Sequence, residues 1–333
     1  LACSPPALAP APPRTPAAPI TGVAAAPPAA PTSIPLRVAY AAASAGQAGA
    51  YVAYETGLFR EQGLDVELLY LATTRTDQAI ITGDTPVGFG ANVVATRLSG
   101  ADIVAVAGVI MRPTFTLYTR PEVTDPQGLR GKTLLVSSPG AANTLATLLA
   151  LRHFGLEPHR DVALQPSPGI IEQVAMLSQG LADGAAIAPP GGLRLEEVGM
   201  VPLLKISDLG FPFIQNTVGT TERYAREQPD IVRRVLRAFV SAVALMRRDP
   251  ETTKALIGKY TRTEDPVLLD ETYRAYRDVW GRPDFRVDPA AVRTVLSVLD
   301  APGADTARPE EFVDNRFIEE LYQTGYIHQA GAD

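Results

Sequence analysis

From Leu36 onward the chain spells strand and helix in alternation, and then repeats the spelling. "LRVAY" reads as a strand, "GAYVAYETGLFREQG" as a helix closed by a glycine, and "LDVELLY" as the next strand. A helix around Asp77 to Thr82, a short strand "VGFGA", a helix start at Asn92 and the apolar strand "DIVAVAGVI" complete the first round. The second round runs through "KTLLVS", "NTLATLLALRHFG", "DVALQP", "IIEQVAMLSQG", "GAAIAP" and "VPLLKI". Strands separated by helices predict an α/β fold with mainly parallel sheets covered on both faces, and the repeat predicts two lobes of similar topology. The remainder reads as helical. "PDIVRRVLRAFVSAVALMRRDP" sets Val232, Val235, Leu236, Phe239 and Val240 on one face, and this tail is expected to pack on the first lobe.

The joins between strands and helices carry the chemistry. In "LLVSSPGAANTLATLLALRHFG" a strand meets a helix through Ser137, Ser138, Pro139, Gly140, Ala142, Asn143 and Thr144, where two or three residues would suffice. A helix start exposes unpaired N–H groups and a partial positive charge, so small residues there let a ligand reach the backbone. Plain capping by Ser, Asn or Thr is the competing explanation. A matching join, "AAASAGQAGA", contains Ser44, Ala45, Gly46 and Gln47; a third lies at Gly90 to Asn92 and a fourth at Ala188 to Gly191, around Pro189. Loops at the carboxyl ends of strands are where open α/β sheets bind ligands. Arg112 follows "DIVAVAGVI" and suits a carboxylate, sulfonate or phosphate. Gln215 and Asn216 stand where the chain returns from the second lobe, facing either a ligand or hinge backbone, whereas Trp280 and its neighbouring tyrosines suit core packing.

Composition narrows the classes. A formal charge of -6 and a pI near 5.3, with no basic run, argue against nucleic acid. One cysteine, Cys3, excludes an intramolecular disulfide, and the dispersed His153, His159 and His328 argue against a Cys/His metal site. No stretch reaches the roughly eighteen consecutive apolar residues of a membrane span. There is no Gly-x-Ser-x-Gly elbow, Walker loop or dinucleotide fingerprint, so neither catalysis nor a cofactor is expected.

The start of the chain reads differently. "LACSPP" resembles the end of a bacterial lipoprotein signal, in which the cut precedes the cysteine and acyl chains are attached to it, so Cys3 is the expected lipidation site. Residues 1–35 are nearly all Pro, Ala, Thr and Ser beyond that point, the composition of a disordered tether. Together they predict a membrane-tethered bacterial lipoprotein, periplasmic or at the cell surface.

The ordered series "YETGLFREQGLDVELL", "GDTPVGFGANVVATRLSGADIVAVAGV", "DPQGLRGKTLLVSSPGAANTLATLLALRHFGLEP" and "EEFVDNRFIEELYQTGYI" resembles the solute-binding proteins of ABC importers for nitrate, sulfonates, taurine and thiamine-pyrimidine precursors. The resemblance spans about Leu36 to Ile327. It implies a type 2 periplasmic-binding fold with lobe I at residues 36–116 and 221–333, lobe II at 117–220, and crossovers at "FTLYT" and "IQNTVGT". It also implies a monomer that closes on a small-molecule ligand and presents it to an ABC transporter permease, with contacts from Ser44 to Gln47, Gly90 to Asn92, Ser137 to Thr144 and the Pro189 region. Small walls at Ala45, Ala141 and Ala142 and few basic groups make a nitrate specialist doubtful and leave an organic anion, an aromatic or a heterocycle open. The alternative is a cofactor-biosynthesis enzyme of the same fold, such as the thiamine-pyrimidine synthases, which use a cysteine-rich motif and histidine ligands that this sequence lacks.

Overall fold

A computed structural model describes residues 33–281 and 284–332. Cys3 and residues 1–32 of the expected tether lie outside the described residues. Ile34 and Pro35, assigned to the tether by composition, instead open the first strand. Pro35 is tolerated because it lies near the strand's start, where the backbone pairs on one side only, with Asp65.

The strands are β1 (Ile34–Tyr40), β2 (Leu64–Tyr70), β3 (Val87–Phe89), β4 (Val104–Ile110), β5 (Thr116–Thr119), β6 (Thr133–Val136), β7 (Ala163–Pro166), β8 (Gly184–Ile187), β9 (Val201–Lys205) and β10 (Asn216–Thr220). They form two five-stranded sheets, ordered β2-β1-β3-β10-β4 and β7-β6-β8-β5-β9. Each sheet has one antiparallel member, β10 in the first and β5 in the second. That member is the strand that arrives from the other lobe. Residues 216–220, expected with lobe II, therefore pair in the first sheet, and Thr116, expected with lobe I, pairs in the second, because each crossover strand completes the sheet it enters.

Helices cover the sheets as the apolar periodicity predicts. The face of helix Pro229–Arg248 that carries Val232, Val235, Leu236, Phe239 and Val240 is buried, and Phe239 meets Phe89 of β3 edge-on at 5.5 Å between ring centroids. The helix read through "GAYVAYETGLFREQG" is instead two, Ala48–Glu55 and Leu58–Glu61. Gly57, at φ +80°, makes the left-handed break. Trp280 follows helix Pro266–Tyr276, fully buried and stacked on Tyr276 with centroids 5.8 Å apart.

Candidate functional site

Loops after β1, β2 and β3 of the first sheet and after β6, β7 and β8 of the second converge on one cleft. It holds about 770 Å³ of empty space, part of it open to solvent. Of the residues singled out from sequence, Ser44, Gln47, Gly90, Asn92, Ser137, Ala142, Asn143 and Asn216 line it. Pro189 lines an adjoining recess that shares Ser44 and Ala188 with the cleft. Arg112 is exposed and lines neither. Ala45, Gly46, Ser138 and Thr144 line neither the cleft nor the recess.

The serine-rich join does not cap its helix. Helix Ala142–His153 has Ala141 at its N-cap with no side-chain hydrogen bond to the exposed N–H groups. Thr144 Oγ1 instead donates to the Ser138 carbonyl at 3.1 Å and braces the loop from within. Asn143 Nδ2 donates to Gln173 Oε1 at 3.3 Å, and Gln173 Nε2 donates to Ser137 Oγ at 3.3 Å. Gln173 is fully buried and fixes the orientation of two cleft residues at once. The sequence offers one hint of it: a polar residue on the buried face of helix Ile170–Ser178.

Across the cleft, the buried Tyr51 hydroxyl donates to the Ala42 carbonyl at 2.8 Å and accepts from the Ser44 N–H at 3.3 Å, holding the loop after β1. Trp280 Nε1 donates to the Ala45 carbonyl at 3.0 Å, which gives this core residue a part in positioning the Ala45–Gln47 turn. Asn216 Nδ2 donates to the Gly46 carbonyl at 3.1 Å, and Asn216 Oδ1 accepts from Gln47 Nε2 at 3.4 Å. Gly90, at φ +83°, leaves room for the Gln47 amide, which any Cβ there would overlap. Gln215 serves the hinge and the cleft together. Its Oε1 accepts the Thr114 N–H at 2.7 Å, tying the two crossover segments together, while its residue also lines the wall.

Asp77 lies behind Asn92. Its carboxylate accepts the Asn92 N–H at 2.9 Å and the Thr96 hydroxyl at 2.8 Å, so it ties the start of helix Val93–Leu98 to helix Thr73–Thr82. Burial pushes its carboxyl up from 3.8 to about 6, against the lowering pull of those hydrogen bonds. Nothing in the local sequence marks Asp77, because its partners lie fifteen and nineteen residues away.

Among the described residues, no group of His, Cys, Asp and Glu is arranged to hold a metal ion. The described residues lining the cleft include no Cys, His, Asp, Glu, Lys or Arg. The arrangement offers amides, hydroxyls, backbone N–H groups and apolar surface. These can bind and orient a small molecule.

Two sheets with the same strand order, exchanged crossover strands and a cleft at their carboxyl edges define the two-lobed periplasmic-binding-protein fold. Residues 44–253 match the family model described as NMT1/THI5 like, and the chain belongs to that family. No curated protein matches it. Among solved structures it is similar to the alkanesulfonate-binding protein SsuA from Xanthomonas axonopodis pv. citri bound to MOPS, at 18% identity over 80% of this chain and 92% of that one, TM-score 0.68. The periplasmic nitrate-binding protein NrtA from Synechocystis is 14% identical over 89% of this chain and 90% of its own, TM-score 0.73. The desulfurization enzyme DszB is 18% identical over 87% and 99%, TM-score 0.59. At such identities the likeness is one of fold.

Proposed function

We propose that the chain is the extracytoplasmic solute-binding component of an ABC importer, capturing a small organic ligand between its lobes and delivering it to the permease. The observation that carries this is the convergence of strand-end loops from both sheets on a single cleft built of binding groups. A ligand touching both lobes stabilises the closed form over the open one by its differential contacts, and the closed form is what a permease selects. Similarity to binding proteins for alkanesulfonates and nitrate supports the role. Acylation at Cys3 would hold the monomeric protein at the membrane surface, with the Pro/Ala-rich residues between Cys3 and the first strand expected to act as the leash.

The likeness to DszB favours an enzyme as the second reading. Against it, the described cleft residues offer no acid–base pair and no activated nucleophile. A thermal-shift screen of the chain against sulfonates, carboxylates, heterocycles, vitamins and inorganic anions separates the two. A saturable rise, worth about 2.7 kcal/mol at a hundredfold excess over Kd, with the compound recovered unchanged, is the expected result. Consumption of the compound would establish the enzyme, and no stabilisation by any compound would overturn the import role.

A further inference from the structure

Granted that this cleft captures a solute, we infer that the solute is uncharged: a neutral aromatic or heteroaromatic compound with an amide-like polar edge that both donates and accepts hydrogen bonds. The wall's polar side chains are the amides of Gln47, Asn92, Asn143, Gln215 and Asn216 and the hydroxyls of Ser44, Ser137 and Tyr70; among the described residues, none lining the cleft carries a formal charge. An ion enclosed there would surrender its water with no countercharge to replace it. Helices Ala142–His153 and Ile170–Ser178 begin at the cleft without side-chain caps, and their N–H groups suit a carbonyl-type acceptor. Such termini carry only a partial positive charge, so they return part of what the desolvation of a full charge removes. Beside the third helix start the Asp77 carboxylate accepts the Asn92 N–H, and its negative charge opposes an anion next to it.

The orientation of Gln47 points the same way. Because Asn216 Nδ2 donates to the Gly46 carbonyl, Asn216 must turn its oxygen to Gln47, and Gln47 must answer with its Nε2. Gln47 Oε1 is thereby left buried without a hydrogen-bond partner on a residue that lines the cleft. A buried acceptor of that kind calls for a donor. Sulfonate, nitrate and carboxylate groups offer none, whereas a neutral N–H or O–H does.

The apolar part of the wall sets the rest of the ligand. Tyr70 from the first lobe and Ile171 from the second line the cleft and remain 50% and 52% exposed, which leaves apolar surface free to cover a ligand. Tyr70 is backed by Tyr40 at 5.4 Å, itself edge-on to Tyr51 at 5.1 Å, which makes a fixed aromatic face. The charged side chain on the adjoining recess, Arg194, is committed elsewhere: its Nη2 donates to the Arg262 carbonyl at 2.9 Å and to Thr263 Oγ1 at 2.8 Å.

Equilibrium dialysis of the chain at pH 7.5 against matched probes tests this: benzamide with benzoate and benzenesulfonate, nicotinamide with nicotinate, and uracil with orotate, each read by mass spectrometry. The neutral member is expected to be retained at least roughly tenfold over its anion, and Tyr70→Ala to lower that retention about tenfold. Equal or better retention of an anion overturns the inference, as does retention of no probe or a screen in which only charged compounds stabilise the chain. Undiminished retention by Tyr70→Ala overturns its aromatic part. A chain that no compound of either kind stabilises removes the import reading beneath it, an outcome distinct from binding with the opposite preference.

Discussion

Asp77 shows how one residue ties the cleft to solution conditions. Its carboxyl has a folded value near 6 against 3.8 for the free group, so the folded state holds the proton more tightly than the unfolded chain does. The stabilisation this group contributes is complete below about pH 4 and is lost as the pH rises through about 6. In urea unfolding, Asp77→Asn should therefore gain on wild type by about 1.4 kcal/mol for each pH unit across that window. Parallel stability curves for the two proteins would contradict the assignment. Two other residues that set the cleft's geometry, Gln173 and Trp280, likewise act through partners on distant elements: Trp280 reaches Ala45 across 235 positions. Their identities are plain in the sequence, but the partners that give them their roles are supplied by the packing.

At the level of elements, the strands and their glycine- and serine-rich joins were legible because hydrophobic period and small-residue clusters are local signals. Ser44, Asn92, Ser137 and Asn143 belong to such joins, and all four line the cleft. Arg112, chosen for its guanidinium just after a strand, lines neither the cleft nor the recess. The break at Gly57 was missed because the apolar pattern continues across it, and the crossover strands were assigned to the lobes they leave because pairing partners carry no local mark. The loop at Gly140 makes a sharper test of the elements. It sits at φ +80°, and a Cβ on it would overlap Ala95 Cβ of helix Val93–Leu98 in the opposite lobe. Gly140→Ala should cost about 1–2 kcal/mol in the unliganded protein from the left-handed backbone. It should also weaken ligand binding by at least roughly tenfold beyond that, because the lobes cannot approach as closely. Calorimetric titration showing wild-type affinity would mean that this approach plays no part in closure.

At the scale of the molecule, the two lobes are bridged at points outside the cleft wall. Arg194 spans to Arg262 and Thr263, and Arg152 donates to the Ser297 carbonyl, each linking a second-lobe helix to the helical tail. With Gln215 clasping Thr114 at the crossover, these contacts hold the lobes together around the cleft. The central claim is that this cleft is where the solute is held. The most direct measurement compares ligand-induced thermal shift in wild type and in Ala142→Trp, which puts a large ring at the start of helix Ala142–His153, on the cleft wall. A saturable shift in wild type that disappears in a variant with native circular dichroism is the predicted result; an equal shift in both proteins would place the solute elsewhere.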